Sequence, residues 1–392
     1  MKPDYRRTIV SCYLGFVTQS IVNTLPPLLF VTFQEEFSLT LTQITFITTF
    51  NFLVQLLVDL ISAKFADKVD YRSWSVAAHF LCAAGLIGIS VFTAVLPNKY
   101  LGLMLAVVLS AIGGGLTEVL MSPMVNACPS ENKEKAMSML HSFYCWGVVA
   151  VVVLSTVFFV VFGRASWRFL PVIWAIIPVY NGFRFTSVPI APILEDGEKG
   201  MTMSELFKSG LFWLFILIMF VSGASEQAMS QWASAFAEEG LKVSKTVGDL
   251  AGPCLFSVLM GLSRLFYGKK GEKIDLLLFI ILSSCLCVVS YLIAALAKSP
   301  AFALAGCALC GLSVGIMWPG SYSVAAANMK KGGTALFAML ALGGDLGCSF
   351  GPTLVGLVSA KFGDNLKTGF LAAIVFPVIL IISSIILKRK KQ

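Results

Sequence analysis

Apolar stretches dominate this chain and recur at nearly even intervals. Windows of about 20 or more mostly apolar residues, the helix length that crosses a bilayer, fall near 8–33, 41–63, 73–96, 100–127, 136–162, 168–190, 209–235, 247–267, 274–297, 301–328, 334–360 and 368–387. The pattern predicts twelve transmembrane α-helices. Connections are short and polar, apart from "APILEDGEKGMTMSELFKSG" (191–210), a charged stretch at the midpoint. Six spans lie on each side of it. The expected division is a six-helix bundle over 1–190, a cytoplasmic linker over 191–208 and a second six-helix bundle over 209–392.

Composition agrees: 57% of the residues are hydrophobic and 13% charged, about half the charge of a soluble domain. The fold class is an all-α integral membrane protein. No polar segment is long enough to hold a catalytic domain outside the membrane. The start, "MKPDYRR" and an apolar run, has the look of a signal peptide. The run extends to about Phe33 and no small-residue cleavage site follows, so it reads as a retained first span.

Charge placement sets the orientation. The N-terminus, the even-numbered loops and the C-terminus hold most of the 29 Lys and Arg residues; the odd loops hold Lys99, Arg164, Arg168, Lys242, Lys245, Lys298, Lys361 and Lys367. By the positive-inside rule both termini are cytoplasmic, in a multi-pass protein of the cytoplasmic membrane. The net charge of +8 is scattered among loops, which excludes a nucleic-acid surface. The ten cysteines fall mostly inside apolar runs and read as small buried thiols. No His or second CxxC accompanies Cys307 and Cys310, so neither metal nor cofactor is implied. "GKKGEK" lacks the spacing and the Ser/Thr of a phosphate loop, and Gly113, Gly114 and Gly115 point to tight helix packing.

The two halves repeat. "FQEEF" (33–37) matches "FAEEG" (236–240) at an offset of 203, which also places Asn23 on Glu226. "HSFYCWG" (141–147) aligns with "DLGCSFG" (345–351) at 204, pairing His141 with Asp345 and Gly147 with Gly351. A Met-x-Pro recurs at Pro123 and Pro319. Duplicated six-helix units with polar groups at matching depths are a transporter pattern.

Ionisable residues inside spans are costly and stand out. Glu118 lies about ten residues, roughly 15 Å, from the cytoplasmic end of span 4. It reads either as a site of reversible protonation or solute contact, or as a permanently protonated acid bonded to a neighbouring helix. Glu226, with Gln227, Gln231 and Trp232, offers carboxylate, amides and an aromatic plate to a hydroxylated ligand; the alternative is a helix end emerging into water. Asp345 has either a coupling role or a structural interhelical bond, and His141 either shuttles protons or packs. Gln19 with Asn23, and Asn51 with Gln55, share helix faces by their spacing of four, as ligand contacts or interhelical bonds. Tyr144, Trp146, Trp318 and Tyr322 are stacking candidates, with interface anchoring or packing as the alternative.

Six plus six helices with internal termini resemble the major facilitator superfamily. Its loop 2–3 signature, Gly-x-Leu-Ala-Asp-Arg-x-Gly-Arg-Lys, is similar to "AKFADKVDYR" (63–72), with Asp67, Lys68 and Arg72 in place but Ala63, Asp70 and Tyr71 as departures. "GLSRLFYGKKGEK" (261–273) carries Arg264 where a second copy falls. The resemblance implies a conformational latch made by Asp59, Lys64, Asp67, Lys68, Arg72 and Arg264. Within the superfamily, spans 4 and 5 ("LTEVLMSPMVNACPSENKEKAMSMLHSFYCWG", 116–147) and "GASEQAMSQW" (223–232) are similar to fucose permease and related monosaccharide/proton symporters. Glu118 and Pro123 match that branch's acid and proline. In "VNTLPP" (22–27), Asn23 stands where it has an acid.

The expectation is a monomeric secondary active transporter, not an enzyme. It moves a small polar solute, a monosaccharide or polyol first, by alternating access and proton symport, with sodium as the other ion. Glu118, Glu226, Asp345 and His141 are the coupling candidates. The alternative is a proton-coupled efflux antiporter for amphipathic compounds, although "GVVAVVVLSTVFF" (147–159) lacks the Gly-Pro motif common there. A polytopic membrane enzyme or receptor is the remote alternative. An enzyme would need a clustered catalytic set, and the two histidines, His79 and His141, are far apart in sequence.

Overall fold

A computed structural model describes residues 4–39, 41–64, 70–130, 132–193, 200–233, 236–237, 241–243, 247–248, 250–270, 273–363 and 365–391. Its helices are α1 (Arg6–Leu28), α2 (Phe30–Phe37), α3 (Leu41–Lys64), α4 (Tyr71–Val95), α5 (Lys99–Ala127), α6 (Lys133–Phe162), α7 (Phe169–Trp174), α8 (Ile176–Phe185), α9 (Met203–Lys208), α10 (Gly210–Ser230), α11 (Leu255–Lys270), α12 (Leu276–Leu296), α13 (Pro300–Val314), α14 (Met317–Asn328), α15 (Gly333–Lys361), α16 (Leu366–Ala373) and α17 (Val375–Lys391). Among the described residues, ten helical stretches are long and apolar enough to cross a membrane, and two shorter ones, Phe50–Ser62 and Phe169–Phe185, occupy the second and sixth expected windows. The protein is all-α, with no strand among the described residues.

Several windows that read as single spans are interrupted. The breaks fall at Leu29, Ala175, Gly315–Ile316 and Ile374. Leu29 follows Pro26 and Pro27; the other three breaks lie three residues ahead of Pro178, Pro319 and Pro377. A proline supplies no N–H to the carbonyl four residues earlier, and its ring crowds that turn. Pro123 and Pro352 sit within continuous helices. Helix starts are defined by side-chain caps. Asp70 accepts from the N–H groups of Arg72 and Ser73, and Asp275 from those of Leu277 and Leu278. Thr202 and Glu205 form a reciprocal capping box that opens α9.

The chain divides into two compact units. The first holds Met1–Pro129, Trp146–Gly200 and Gly333–Ala338; the second holds Ser130–Cys145, Met201–Gly332 and Met339–Gln392. Helices α6 and α15 therefore contribute to both. In lipid there is little hydrophobic gain in helix association, so close backbone approach at small residues takes its place. In the first unit, Gly115 meets α3 at Gln55 and Val58, and Gly147 meets α1 at Val17 and Ser20. In the second, Gly311 meets α11 at Phe256, and Gly351 meets α10 at Ala224. An offset of 204 relates both Gly147 to Gly351 and Ser20 to Ala224.

The duplication extends to rings, turns and polar ties. Phe33 meets Trp167 edge-on at 5.4 Å and 74°; Phe236 and Phe370, each 203 residues later, meet at 5.0 Å and 76°. Ser38 and Lys242 both adopt left-handed backbone, with φ of 53° and 56°. Arg72, at the start of α4, donates to the carbonyls of Phe185, Thr186 and Val188 at 2.7–3.0 Å. In the second unit Asp275, at the start of α12, pairs with Lys388 of α17 at 3.3 Å. In each unit, then, the start of the third span is tied to the end of the sixth.

Candidate functional site

The polar residues singled out from the sequence gather in two sets, one in each unit. In the first unit, Gln19 Nε2 on α1 donates to Glu118 Oε2 on α5 at 2.5 Å, and both residues are buried. Gly15 lets the helices meet, since its Cα faces Met121 and Thr117. One turn beyond Gln19, the Asn23 side-chain oxygen Oδ1 accepts from Gln55 Nε2 at 3.1 Å and from Asn51 Nδ2 at 3.4 Å. An acid and four amides thus come together from α1, α3 and α5. The Gln19 amide can donate to a carboxylate or to the carbonyl oxygen of a carboxylic acid, so this pair tolerates both protonation states.

Of the remaining first-unit residues, Trp146 is half-buried and Asp59 buried on α3. Arg72 is occupied with the carbonyls that end α8. Lys64 closes α3 with its side chain outside the described residues, where Asp67 and Lys68 also lie.

The second set is built around a cation. Arg264, counted from sequence with the loop charges, lies within α11 and is 3% exposed. It shares a buried face with Ser257, Met260, Gly261, Tyr267 and Gly268. Its Nε donates to the Gly315 carbonyl at 2.7 Å, its Nη1 to the His141 carbonyl at 2.8 Å, and its Nη2 to Glu226 Oε2 at 3.5 Å. Cys145 Sγ lies 3.1 Å from Nη1. The His141 ring stacks on Tyr322 at 5.7 Å and 24°, and Trp318 lies 6.3 Å from Tyr322. Asp345 is buried on α15 and Tyr144 half-buried on α6.

The end of α10 departs from the expected arrangement. The window ran to 235, but the helix stops at Ser230. Gln227 is half-buried, whereas Gln231 is exposed at the helix end and does not join Glu226 on a buried face. Trp232 turns to α15, where its Nε1 donates to the Pro352 carbonyl at 2.9 Å.

Sequence reasoning passed over Cys145, Gly315 and a buried cluster in the first unit. His79 Nδ1 lies 2.7 Å from the Ser75 carbonyl, and Asn181 Nδ2 lies 2.8 Å from His79 Nε2 and 2.9 Å from the Ser11 carbonyl. The amide donor at Nε2 fixes a neutral imidazole whose Nδ1–H donates to Ser75. Asn181, a lone amide in an apolar window, was the available signal. Among the described residues no three metal-ligating side chains converge.

Twelve spans in two repeated units, each with acids buried at span depth, describe a polytopic membrane transporter. A model described as Major Facilitator Superfamily matches residues 12–352, and the chain belongs to that superfamily. It is a multi-pass membrane transporter, not an enzyme. The chain is 24% identical over 318 residues to the "Membrane protein MosC" of Rhizobium meliloti, covering 80% of this chain and 74% of that one. Among solved structures it is similar to the superfamily transporter FucP in an outward conformation, with a TM-score of 0.81 and 15% identity over 96% of this chain and 97% of that one. FucP is described elsewhere as the E. coli fucose:proton symporter. The proton:xylose symporter XylE is similar at a TM-score of 0.80 and 12% identity, over 98% and 95% of the two chains.

Proposed function

We propose that the protein is a proton-coupled symporter that carries a small polyhydroxylated solute, a monosaccharide or related polyol, across the cytoplasmic membrane by alternating access. The observation that carries this reading is the Gln19–Glu118 pair beside Asn23, Asn51 and Gln55. Amides both donate and accept, as hydroxyl groups require, and a buried carboxyl that accepts from the Gln19 amide can keep that bond in either protonation state. The names of two fold neighbours, a fucose:proton and a proton:xylose symporter, support the same solute class.

In this reading the repeated halves, 1–190 and 209–392, are the two moving domains of a monomer with cytoplasmic termini. Residues 191–208 link them. Glu118 is the protonation site. Glu226, Gln227, Trp318 and Tyr322 belong to the solute path, with His141 and Asp345 nearby in the coupling layer. Asp59, Lys64, Asp67, Lys68 and Arg72 hold the cytoplasmic ends in one conformer.

The test is uptake by the purified protein in liposomes under an imposed proton gradient. Labelled L-fucose, D-xylose, a nucleoside, an amino acid and an amphipathic cation serve as probes. Gradient-dependent accumulation of a sugar is expected. Gradient-dependent expulsion of the cation, with no sugar accumulated, refutes the reading.

A further inference from the structure

The partners of Arg264 define what Glu226 can do. Pro319 has no N–H for the Gly315 carbonyl, which is orphaned at the break between α13 and α14. Arg264 Nε fills that vacancy at 2.7 Å. Nη1 is committed to the His141 carbonyl and lies against Cys145 Sγ, and Ser138 of the same helix donates to the carbonyl of Arg264 itself at 2.6 Å. These contacts fix the guanidinium plane before any carboxylate is considered. Glu226 approaches the remaining donor at 3.5 Å. Backbone carbonyls place the cation, and the cation places the acid.

The duplication sharpens the contrast. At Asn23 in the first unit, a neutral acceptor receives neutral donors from α3. At the position that the repeat aligns with it, an acid receives a guanidinium from α11, the corresponding second helix of its unit. A buried ion persists where its charge is compensated. The titratable groups on surrounding elements include Arg264 on α11, His141 and Cys145 on α6, Tyr322 on α14 stacked on His141, Tyr291 on α12, and Asp345 and Cys348 on α15, the Cys348 sulfur lying against α10 at Gly223. The Tyr291 hydroxyl donates to the Ser225 carbonyl at 2.8 Å. Helix α15 packs its Gly347 and Gly351 on Phe220 and Ala224 of α10.

We infer that Arg264 is a positioning residue that keeps Glu226 ionised throughout the transport cycle as a fixed acceptor for solute hydroxyls, leaving the transported proton to Glu118. The roles of Glu118 and of Glu226 toward the solute rest on the proposed function; the pairing of Glu226 with Arg264 stands on its own contacts.

Infrared difference spectra of the purified full chain, titrated from about pH 6 to about pH 9, separate the two acids because surface carboxylates, with ordinary values of about 4, stay almost wholly ionised across that range. The C=O stretch of protonated carboxyl groups is the readout. Wild type and Glu226→Gln are expected to show the same titrating band, and Glu118→Gln to lack it. Arg264→Gln is expected to add a second titrating band that disappears in Arg264→Gln/Glu226→Gln. Loss of the wild-type band in Glu226→Gln, or no added band in Arg264→Gln, overturns the inference. A wild type with no titrating band removes Glu118 from the proposed function, while the Arg264→Gln comparison still decides the pairing. Should Arg264→Gln fail to fold, the double variant is expected to recover folding because it removes both charges. If the double variant also fails, Arg264→Lys, which keeps a cation beside Glu226, is titrated in its place, and a second band there overturns the inference.

Discussion

Alanine at Gly351 and at Gly147 tests whether the duplicated crossings are built alike and differ only in what they meet. A Cβ on Gly351 would stand 2.5 Å from the Ala224 carbonyl oxygen and 2.9 Å from its Cα. Carbon atoms are in contact at about 3.5 Å, and everything encountered here is backbone of α10. The helices must separate. Overpacking costs about 1–3 kcal/mol, and rigid atoms on both sides place this substitution near the top, at about 2–3 kcal/mol. A Cβ on Gly147 meets Ser20 Oγ, Ser20 Cβ at 3.0 Å and Val17 Cα at 3.3 Å. The Ser20 hydroxyl, bonded to the Val17 carbonyl at 2.7 Å, can rotate away, so that loss is expected near 1 kcal/mol. At about 2–4 °C per kcal/mol for a body of this size, Gly351→Ala should lower the melting temperature by about 4–12 °C and Gly147→Ala by about 2–4 °C. Thermal unfolding in detergent, followed by tryptophan fluorescence, measures both. Equal losses, or a larger loss at Gly147, would refute the packing argument.

Three further outcomes are expected. The Ser73 hydroxyl, then the Ser73 and Arg72 amides, hold the Asp70 carboxyl below its usual range against a desolvation that raises it. Its folded value is depressed, so its stabilisation is present above the unfolded value of about 4 and fades as pH falls through the folded value. Asp70→Ala should therefore cost about 1 kcal/mol at about pH 6, and melting temperatures of variant and wild type should converge below about pH 3. Tyr267→Phe removes a 2.5 Å bond to Glu134 Oε2, and a loss of about 1–2 kcal/mol in thermal unfolding is expected. Glu226→Ala should weaken solute binding at least tenfold, corresponding to about 1.4 kcal/mol; a calorimetric Kd equal to wild type removes Glu226 from the solute path.

Helix positions were largely legible from the spacing of apolar runs. The windows 41–63 and 100–127 became Leu41–Lys64 and Lys99–Ala127, because in lipid the backbone must close its own hydrogen bonds over the whole apolar stretch. The breaks at Ala175, Gly315–Ile316 and Ile374 escaped, since a hydropathy window registers composition and not a missing N–H. The prolines three residues beyond each break held that information. In the site, the spacing of four placed Gln19 with Asn23 and Asn51 with Gln55, and the structure joins the two pairs through Asn23. The Glu226–Arg264 contact was hidden because Arg264 sits next to the basic run at 269–273 and reads as part of it. Its helical phase, shared with Ser257, Met260, Gly261, Tyr267 and Gly268, marks it as buried. The stretch after Glu226 read either as lining a cavity or as a helix end emerging into water, and nothing local signals that α10 ends at Ser230, where Gln231 is exposed.

The most direct test of the central claim compares wild type with Glu118→Gln in liposomes, using whichever sugar the wild type accumulates. Two assays are run side by side, uptake driven by an imposed proton gradient and counterflow exchange at equal pH. The account expects Glu118→Gln to lose gradient-driven accumulation while exchanging solute at a rate close to wild type. Accumulation at the wild-type level by Glu118→Gln would contradict it.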